Sequence, residues 1–403
     1  MKNMATHGFL NTNISYIQMF LCWILLGLGQ IVPIEAANAE QYFQKQTQQK
    51  IKTTHNNSYS TWIPTALSAT ERNLFYQTPE DLLTRKACIG KQRANKHCRN
   101  KKHYVSTNEY HHQLFYPYIR GIAGGYVGVG TDQNFTLIAW AQSRFAWLID
   151  YDPVAVSINK VHRAFILESP NRQRYMQWWS QHNIDAHVHR ILRQYYPAPS
   201  IHRALFEAYR FARKIIADNN SLFIKWKQWR WRASKERSDF HWLHREETYL
   251  YIRQMFQTDR IRIMRGNLLG QSTLSGIGRA SHQANLPIRI LYTSNAEEFW
   301  RYSSSFQANI RGLKMDQHSV VLRTRYSDRF GPRRNDKWLY VIQGGLDFQS
   351  RLSNQRYHNI DAMMSHRKPI TEGFFSILTS NKSNLPISTH KNTTKRDKST
   401  TPD

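Results

Sequence analysis

Acidic side chains are the scarce class in this sequence: 28 Asp and Glu stand against 56 Lys and Arg, a formal net charge of +28. That imbalance directs long-range attraction toward phosphate, anionic lipid or acidic polymer over roughly a Debye length of about 8 Å, and it says nothing of fold. No base-reading module accompanies the charge, so no specific nucleic-acid recognition is expected. Cysteine is nearly missing as well, with three residues in 403. That count excludes a disulfide-built scaffold. Long apolar runs are missing too: the run from Met19 to Leu28 is short of the ~20 residues that a membrane-spanning helix needs. Internal repeats are absent, which excludes a solenoid. What remains is a chain of 40% hydrophobic composition, long enough to bury a substantial core in one large domain or two modest ones.

The run from Met19 to Leu28, with Lys2 before it and Ala37-Asn38-Ala39 after it, has the layout of a secretory signal peptide. Residues 1–39 are therefore expected to be removed before Glu40, and the protein to be exported, periplasmic or secreted. Gly27, Gly29 and Pro33 interrupt the run and disfavour an uncleaved anchor. Cys22 has no small-residue lipobox before it, so lipidation is not expected. Cleavage would leave Cys88 and Cys98, an even pair in an oxidising compartment, for which a disulfide is one reading. Two free thiols, or half of a metal site with His97 or His103, are the others.

Composition divides the remainder. Residues 40–62 read as a flexible polar linker, and residues 63–115 as N-terminal helices followed by a basic loop. Ser68-Ala69-Thr70-Glu71 has the form of a capping box, and Thr78-Pro79-Glu80-Asp81 that of a second helix start. Residues 116–348 carry the core pattern, with helical periodicity over about 169–258 as an insertion. Residues 349–380 read as a C-terminal extension and 381–403 as a disordered tail.

The core pattern opens with small and β-branched residues from Ile122 to Val129, as in a buried strand. The turn Gly128-Val129-Gly130-Thr131-Asp132-Gln133-Asn134 then leads into a helix at Phe135 to Ala141. A second apolar strand, Phe145 to Ile149, ends on Asp150-Tyr151-Asp152-Pro153. Such a turn lets a phosphate, ribose or amino-acid group approach backbone N–H groups, and a carboxylate about twenty residues on can accept both ribose hydroxyls of an adenosine cofactor. Further strands are expected at Arg260 to Met264, Ile288 to Tyr292, Ser319 to Arg325 and Trp338 to Ile342, with a crossover helix from Ser272 to Asn285 and an antiparallel hairpin between the last two strands. The fold class is thus α/β, a Rossmann-like sheet with a large helical insertion and a C-terminal antiparallel hairpin.

Four blocks in order, Gly124 to Asn134, Asp150/Asp152, Gly266-Asn267-Leu268-Leu269-Gly270 and Tyr292 to Phe299, resemble an uncharacterised bacterial family that includes leptospiral hypothetical proteins. That family looks like class I S-adenosylmethionine-dependent methyltransferases in its fold, over about residues 116–345. The resemblance implies a methyltransferase-like sheet with S-adenosylmethionine as cofactor. It places Gly128 and Gly130 under the methionine part, and Asp150 or Asp152 on the ribose. Asp132, Gln133 and Asn134 complete the implied cofactor site. Asn267 would orient a substrate amine or hydroxyl, and Glu297 would serve as general base where the reaction needs one. Methyl transfer is an in-line displacement, so alignment supplies much of the rate and no nucleophilic triad is needed. The turn departs from the methyltransferase pattern in lacking an acid before its first glycine and in carrying Asp132 where a third glycine stands. Asp132 there would either repel a methionine carboxylate or pair with the amino group.

Two other constellations are weaker. His182, His187 and His189 have metal-compatible spacing but no carboxylate beside them, and an exposed helical face accounts for them. Trp226 to Arg232 interleaves aromatics with cations, as stacking surfaces do, although a packed aromatic stripe with snorkelling cations fits the same spacing. Three functional classes follow: a methyl-transferring enzyme, an exported non-enzymatic binding protein that turns its basic surface to anionic envelope or host polymers or lipid, and a nucleic-acid binder supported by charge alone. Sheet architecture hosts many functions and does not choose among them.

Overall fold

The computed structural model describes residues 62–83, 103–109, 111–219, 241–326, 338–371 and 374–378, all within one compact unit, Trp62–Asp403. The signal segment, Cys88 and Cys98, the Trp226 to Arg232 stretch, the turn between the last two expected strands and the tail lie outside the described residues.

Among the described residues eight strands form one mixed sheet in the order β3-β2-β1-β4-β5-β6-β8-β7. They are β1 (Gly125–Gly128), β2 (Phe145–Asp150), β3 (Ile261–Arg265), β4 (Ile288–Ser294), β5 (Val320–Tyr326), β6 (Trp338–Gly344), β7 (Lys368–Thr371) and β8 (Phe375–Leu378). The first five are parallel, β6 runs antiparallel to β5, β8 runs parallel to β6, and β7 closes the edge antiparallel to β8. The result is an α/β fold consistent with a Rossmann-like arrangement, and the expected hairpin is the β5–β6 pair. Residues after 348, read from sequence as an extension, supply β7 and β8 to the same sheet. Their short length and lack of alternation hid them.

Twelve helices are used below: α1 (Ala69–Tyr76), α2 (Tyr116–Ile119), α3 (Gln133–Ala141), α4 (Pro153–Glu168), α5 (Arg172–Ser180), α6 (Asp185–Tyr195), α7 (Pro199–Asn219), α8 (Glu246–Gln257), α9 (Thr273–Gln283), α10 (Ser304–Arg311), α11 (Gly345–Leu352) and α12 (Ile360–Met364). Local chemistry sets their ends. Ser68 and Glu71 form the capping box of α1 in full. Asp152 caps α4, whose first residue is Pro153, so the donor that proline lacks is one the helix leaves unpaired anyway. The second helix start expected at Thr78-Pro79-Glu80-Asp81 is not helical over the described residues 78–83. Thr78 instead donates to the carbonyl of Phe75, and the Asp81 carboxylate is drawn away to the loop before α9.

Strand β1 is shorter than the apolar run suggested. Gly121, Ala123 and Gly124 all have positive φ, so extended backbone begins only at Gly125. Alternation along the strands then splits the core in two. Tyr126, Leu148, Ile290, Tyr292, Leu322 and Tyr340 face the helical layer of α3 to α8. Val127, Trp147, Leu291, Val321 and Leu339 face α1, α9, α10 and α11. Every residue of α3 is buried, because it lies between the sheet and the helical insertion. Aromatic packing dominates there: Phe135 meets Trp242 with ring centroids 5.1 Å apart, and Tyr175 meets Trp242 at 5.2 Å. Among the described residues no helix is long and apolar enough to cross a membrane.

Candidate functional site at the carboxyl edge of the sheet

The strand order reverses between β1 and β4, since β1 continues through α3 to β2 on one side while β4 lies on the other. In open α/β sheets the crevice outside the carboxyl ends at such a switch point is where ligands bind. The turn after β1 lies there. Gly130 has φ +90, a conformation that suits glycine, and its N–H donates to Asp150 Oδ2 at 2.9 Å from the end of β2. Asp150 Oδ1 in turn accepts the N–H of Asp152 at 2.7 Å, so one carboxylate ties the glycine turn to the start of α4.

The turn is filled by its own side chains. Gln133 Oε1 accepts the N–H of Thr131 at 3.2 Å, and its Nε2 donates to the carbonyl of Val129. Asn134 Nδ2 donates to the carbonyls of Val129 and Thr131, while its Oδ1 accepts the Tyr126 hydroxyl at 2.6 Å. A Cβ on Gly130 would stand 2.2 Å from Gln133 Nε2, and one on Gly128 would stand 2.2 Å from Asn134 Oδ1. A side chain at either glycine would therefore displace one of these two amides from the turn.

Five of the residues named by resemblance meet here with Gly128: Gly130, Asp132, Gln133, Asn134 and Asp150. Asp132 is buried, and its Oδ1 accepts from the Thr131 hydroxyl at 3.3 Å. Asp152 is one step removed, with Oδ1 on the N–H of Val154 and Oδ2 2.7 Å from His103 Nδ1. Asn267 lies on the loop after β3, where its Oδ1 accepts the N–H of Leu269 at 3.0 Å. Glu297 belongs to the opposite face of the sheet. Its Oε1 accepts from Thr293 at 2.7 Å and from Arg323 Nε at 2.9 Å, and its Oε2 from the Tyr302 hydroxyl at 2.5 Å.

Residues 103–109 and 111–112 cross this edge. His103 reaches Asp152, the N–H of Thr107 approaches Asp132 Oδ1 at 3.4 Å, and Glu109 reaches β4 and β5. Glu109 is buried and accepts four side-chain bonds: His112 Nε2 at 2.9 Å, the Tyr292 hydroxyl at 2.5 Å, Ser294 Oγ at 2.5 Å and Thr324 Oγ1 at 2.7 Å. Burial alone would raise its pKa, but the hydrogen bond and charge of His112, with the bonds from Ser294 and Tyr292, outweigh it and hold the carboxyl below its usual range. Burial first and the Glu109 charge second push the Tyr126 and Tyr292 phenols well up. Ser294 adopts φ +51 at the end of β4, where the pairing with β5 shifts register. Its hydroxyl bond to Glu109 fastens that left-handed residue.

Sequence reasoning missed Glu109, His112, Thr324 and Asp81. Asp81 accepts the N–H groups of Asn267, Ser272 and Thr273, at 2.9, 2.9 and 3.3 Å, and so braces the loop between β3 and α9 from 186 residues away in the chain. One signal pointed to Glu109: it is the sole acid between Asp81 and Asp132 in a strongly basic stretch. His182 and His187 are exposed and His189 stacks on Phe206, with centroids 3.5 Å apart. Among the described residues no three His, Cys, Asp or Glu side chains converge as a metal set.

No curated protein matches the chain. Residues 104–382 match the family profile described as Domain of unknown function (DUF7790), a span that runs from the edge-crossing segment through β8. The match covers more than half of the chain, and the protein belongs to that family.

Proposed function

We propose that the carboxyl edge between β1 and β4 binds an adenosine-containing cofactor, S-adenosylmethionine first among them, and that the protein is a methyltransferase-like enzyme of the exported class. The observation that carries this reading is the Gly130 to Asp150 contact at the switch point, which sets a glycine turn and a strand-end carboxylate side by side. When bound, such a cofactor would supply an electrophilic methyl group. The chain's own residues supply the rest. Asp150 would exchange its bond to Gly130 for ribose hydroxyls, and Gln133 and Asn134 would swing out of the turn to admit the methionine end. Asn267 would present the acceptor amine or hydroxyl. Glu297, the general base that the resemblance implies, would accept a proton only by giving up one of its three donors, Thr293, Tyr302 or Arg323.

The filled turn favours a second reading, in which the sheet is a scaffold and the protein binds anionic envelope or host polymers without catalysis. Calorimetric titration with S-adenosylmethionine separates the two. The enzyme reading expects saturable binding that Asp150→Ala abolishes and Gln133→Ala strengthens, because the second change empties the turn. No heat in the wild type, or binding indifferent to Asp150→Ala, sinks it and leaves the scaffold.

A further inference from the structure

An open cleft of about 450 Å³ lies on the surface between the start of α6 and the second half of α7, lined by His182, Asn183, Asp185, Arg210, Arg213 and Lys214. The helices that wall it belong to the insertion between β2 and β3, and none of its lining residues takes part in the switch-point turn. Three cations face one carboxylate there, a net charge of +2 before His182 is counted. The carboxylate does not neutralise them: Asp185 stands 3.7 Å from Arg213 and 4.0 Å from Arg210, at the limit of an ion pair. Arg213 is largely covered and donates from a second nitrogen to the carbonyl of Gln181, which fixes its guanidinium plane at the cleft wall. Among the described residues Lys214 has no hydrogen bond or ion pair, and it is exposed at the rim.

We infer that this cleft is a binding site for a phosphate monoester carried on a sugar-sized group. A phosphate monoester bears about −1.5 to −2 charge near pH 7, which matches the uncompensated charge of the pocket, whereas a sulfate ester or carboxylate matches half of it. A planar guanidinium held by a backbone carbonyl can present its remaining N–H groups as a fork to phosphate oxygens, and the free ammonium of Lys214 adds a mobile point charge. The volume exceeds what a bare phosphate fills and lies within the range of about 300 to 1,000 Å³ of small-ligand sites, so the ester's polyol has room in the same cleft. Asp185 tunes the site: it screens the repulsion between Arg210 and Arg213 and opposes the incoming anion.

The test is calorimetric titration of the full chain with glucose 6-phosphate at low salt. Wild type is expected to bind saturably, Arg213→Gln with Lys214→Gln to lose at least tenfold in affinity, and Asp185→Asn to gain severalfold. A control pair of equal charge loss, Arg301→Gln with Arg356→Gln, removes exposed cations from another part of the surface and is expected to change affinity less than twofold. Unchanged thermal melting of the double variant keeps its loss of binding attributable to the pocket. If it melts early, the singly substituted Lys214→Gln, at the rim, is expected to show a threefold or greater loss with an unchanged melt. Absence of wild-type binding at millimolar probe, an equal loss in the control pair, or equal affinity for glucose 6-sulfate overturns the inference. None of these results bears on S-adenosylmethionine binding at the switch point, which a separate titration with the Asp150 variant reads.

Discussion

Arg323 and Thr324 are consecutive on β5 and serve two different buried carboxylates: Arg323 Nε donates to Glu297 at 2.9 Å, and Thr324 Oγ1 donates to Glu109 at 2.7 Å. The same division holds on β4, where Thr293 donates to Glu297 while Tyr292 and Ser294 donate to Glu109. Side chains alternate across a pleated strand, so two neighbouring strands carry one acid cluster on each face of the sheet. The Glu297 cluster packs with Tyr302 and Phe348, and the Glu109 cluster with Tyr292 and Phe115.

Removing one partner of the Glu297 pair leaves a charge stranded in the interior. Both side chains are almost fully covered, at 1% and 2% exposure. Glu297→Ala is expected to cost about 3–5 kcal/mol, while the double change Glu297→Leu with Arg323→Met costs less. Urea denaturation of the two variants beside the wild type measures this, and a double change as costly as the single one would contradict it.

Glu109 has a pKa held below its usual value near 4.5. The folded state thus binds fewer protons than the unfolded one at acid pH, and the stability this group contributes is full above about 4.5 and lost as pH falls through the lower folded value. Glu109→Gln removes that dependence. The stability gap between wild type and variant should shrink below pH 4.5, and a gap constant with pH would reject the assignment.

His162 is fully buried against Tyr175 and Trp179, and burial lowers its pKa from 6.5 to about 3. Its neutral ring therefore favours folding fully above pH 6.5, and that contribution declines as pH falls toward 3, by about 1.4 kcal/mol per pH unit in the middle of the window. His162→Phe should flatten the stability profile between pH 6 and 4. A profile as steep as that of the wild type would move the effect to another group.

The Gly130 turn offers a packing test. Gly130→Ala forces a side chain onto φ +90 and against Gln133 Nε2 at 2.2 Å. The expected cost is about 1–3 kcal/mol from the backbone, with a further increment from the clash. Adding Gln133→Ala should recover only the clash increment. Full recovery would show that the conformation itself carries no strain.

Asp81→Ala removes the acceptor for three N–H groups of the loop before α9, at a cost of about 1–3 kcal/mol. Hydrogen exchange should quicken at Asn267, Ser272 and Thr273 first. Uniform quickening across the sheet would instead mark global destabilisation.

The parallel strands β2 to β5, helices α3 and α9, the capping box of α1 and the helical nature of the insertion were legible in the sequence, because each rests on local periodicity or on a cap a few residues away. The glycine turn and the carboxylate twenty residues on were legible for the same reason. Only the tertiary structure decided what those groups do. It turned Gln133 and Asn134 into the turn, paired Asp152 with His103, and put Glu297 across the sheet from Glu109. Each of those outcomes depends on contacts between residues far apart in the chain or on the face a strand presents. The spacing of one segment fixes its own helix or strand but carries no record of which distant donor will reach its acid. Asp81, 186 residues from the first N–H it accepts, is the clearest case: its Pro-Glu-Asp setting reads as a helix start, and the fold uses it as a brace.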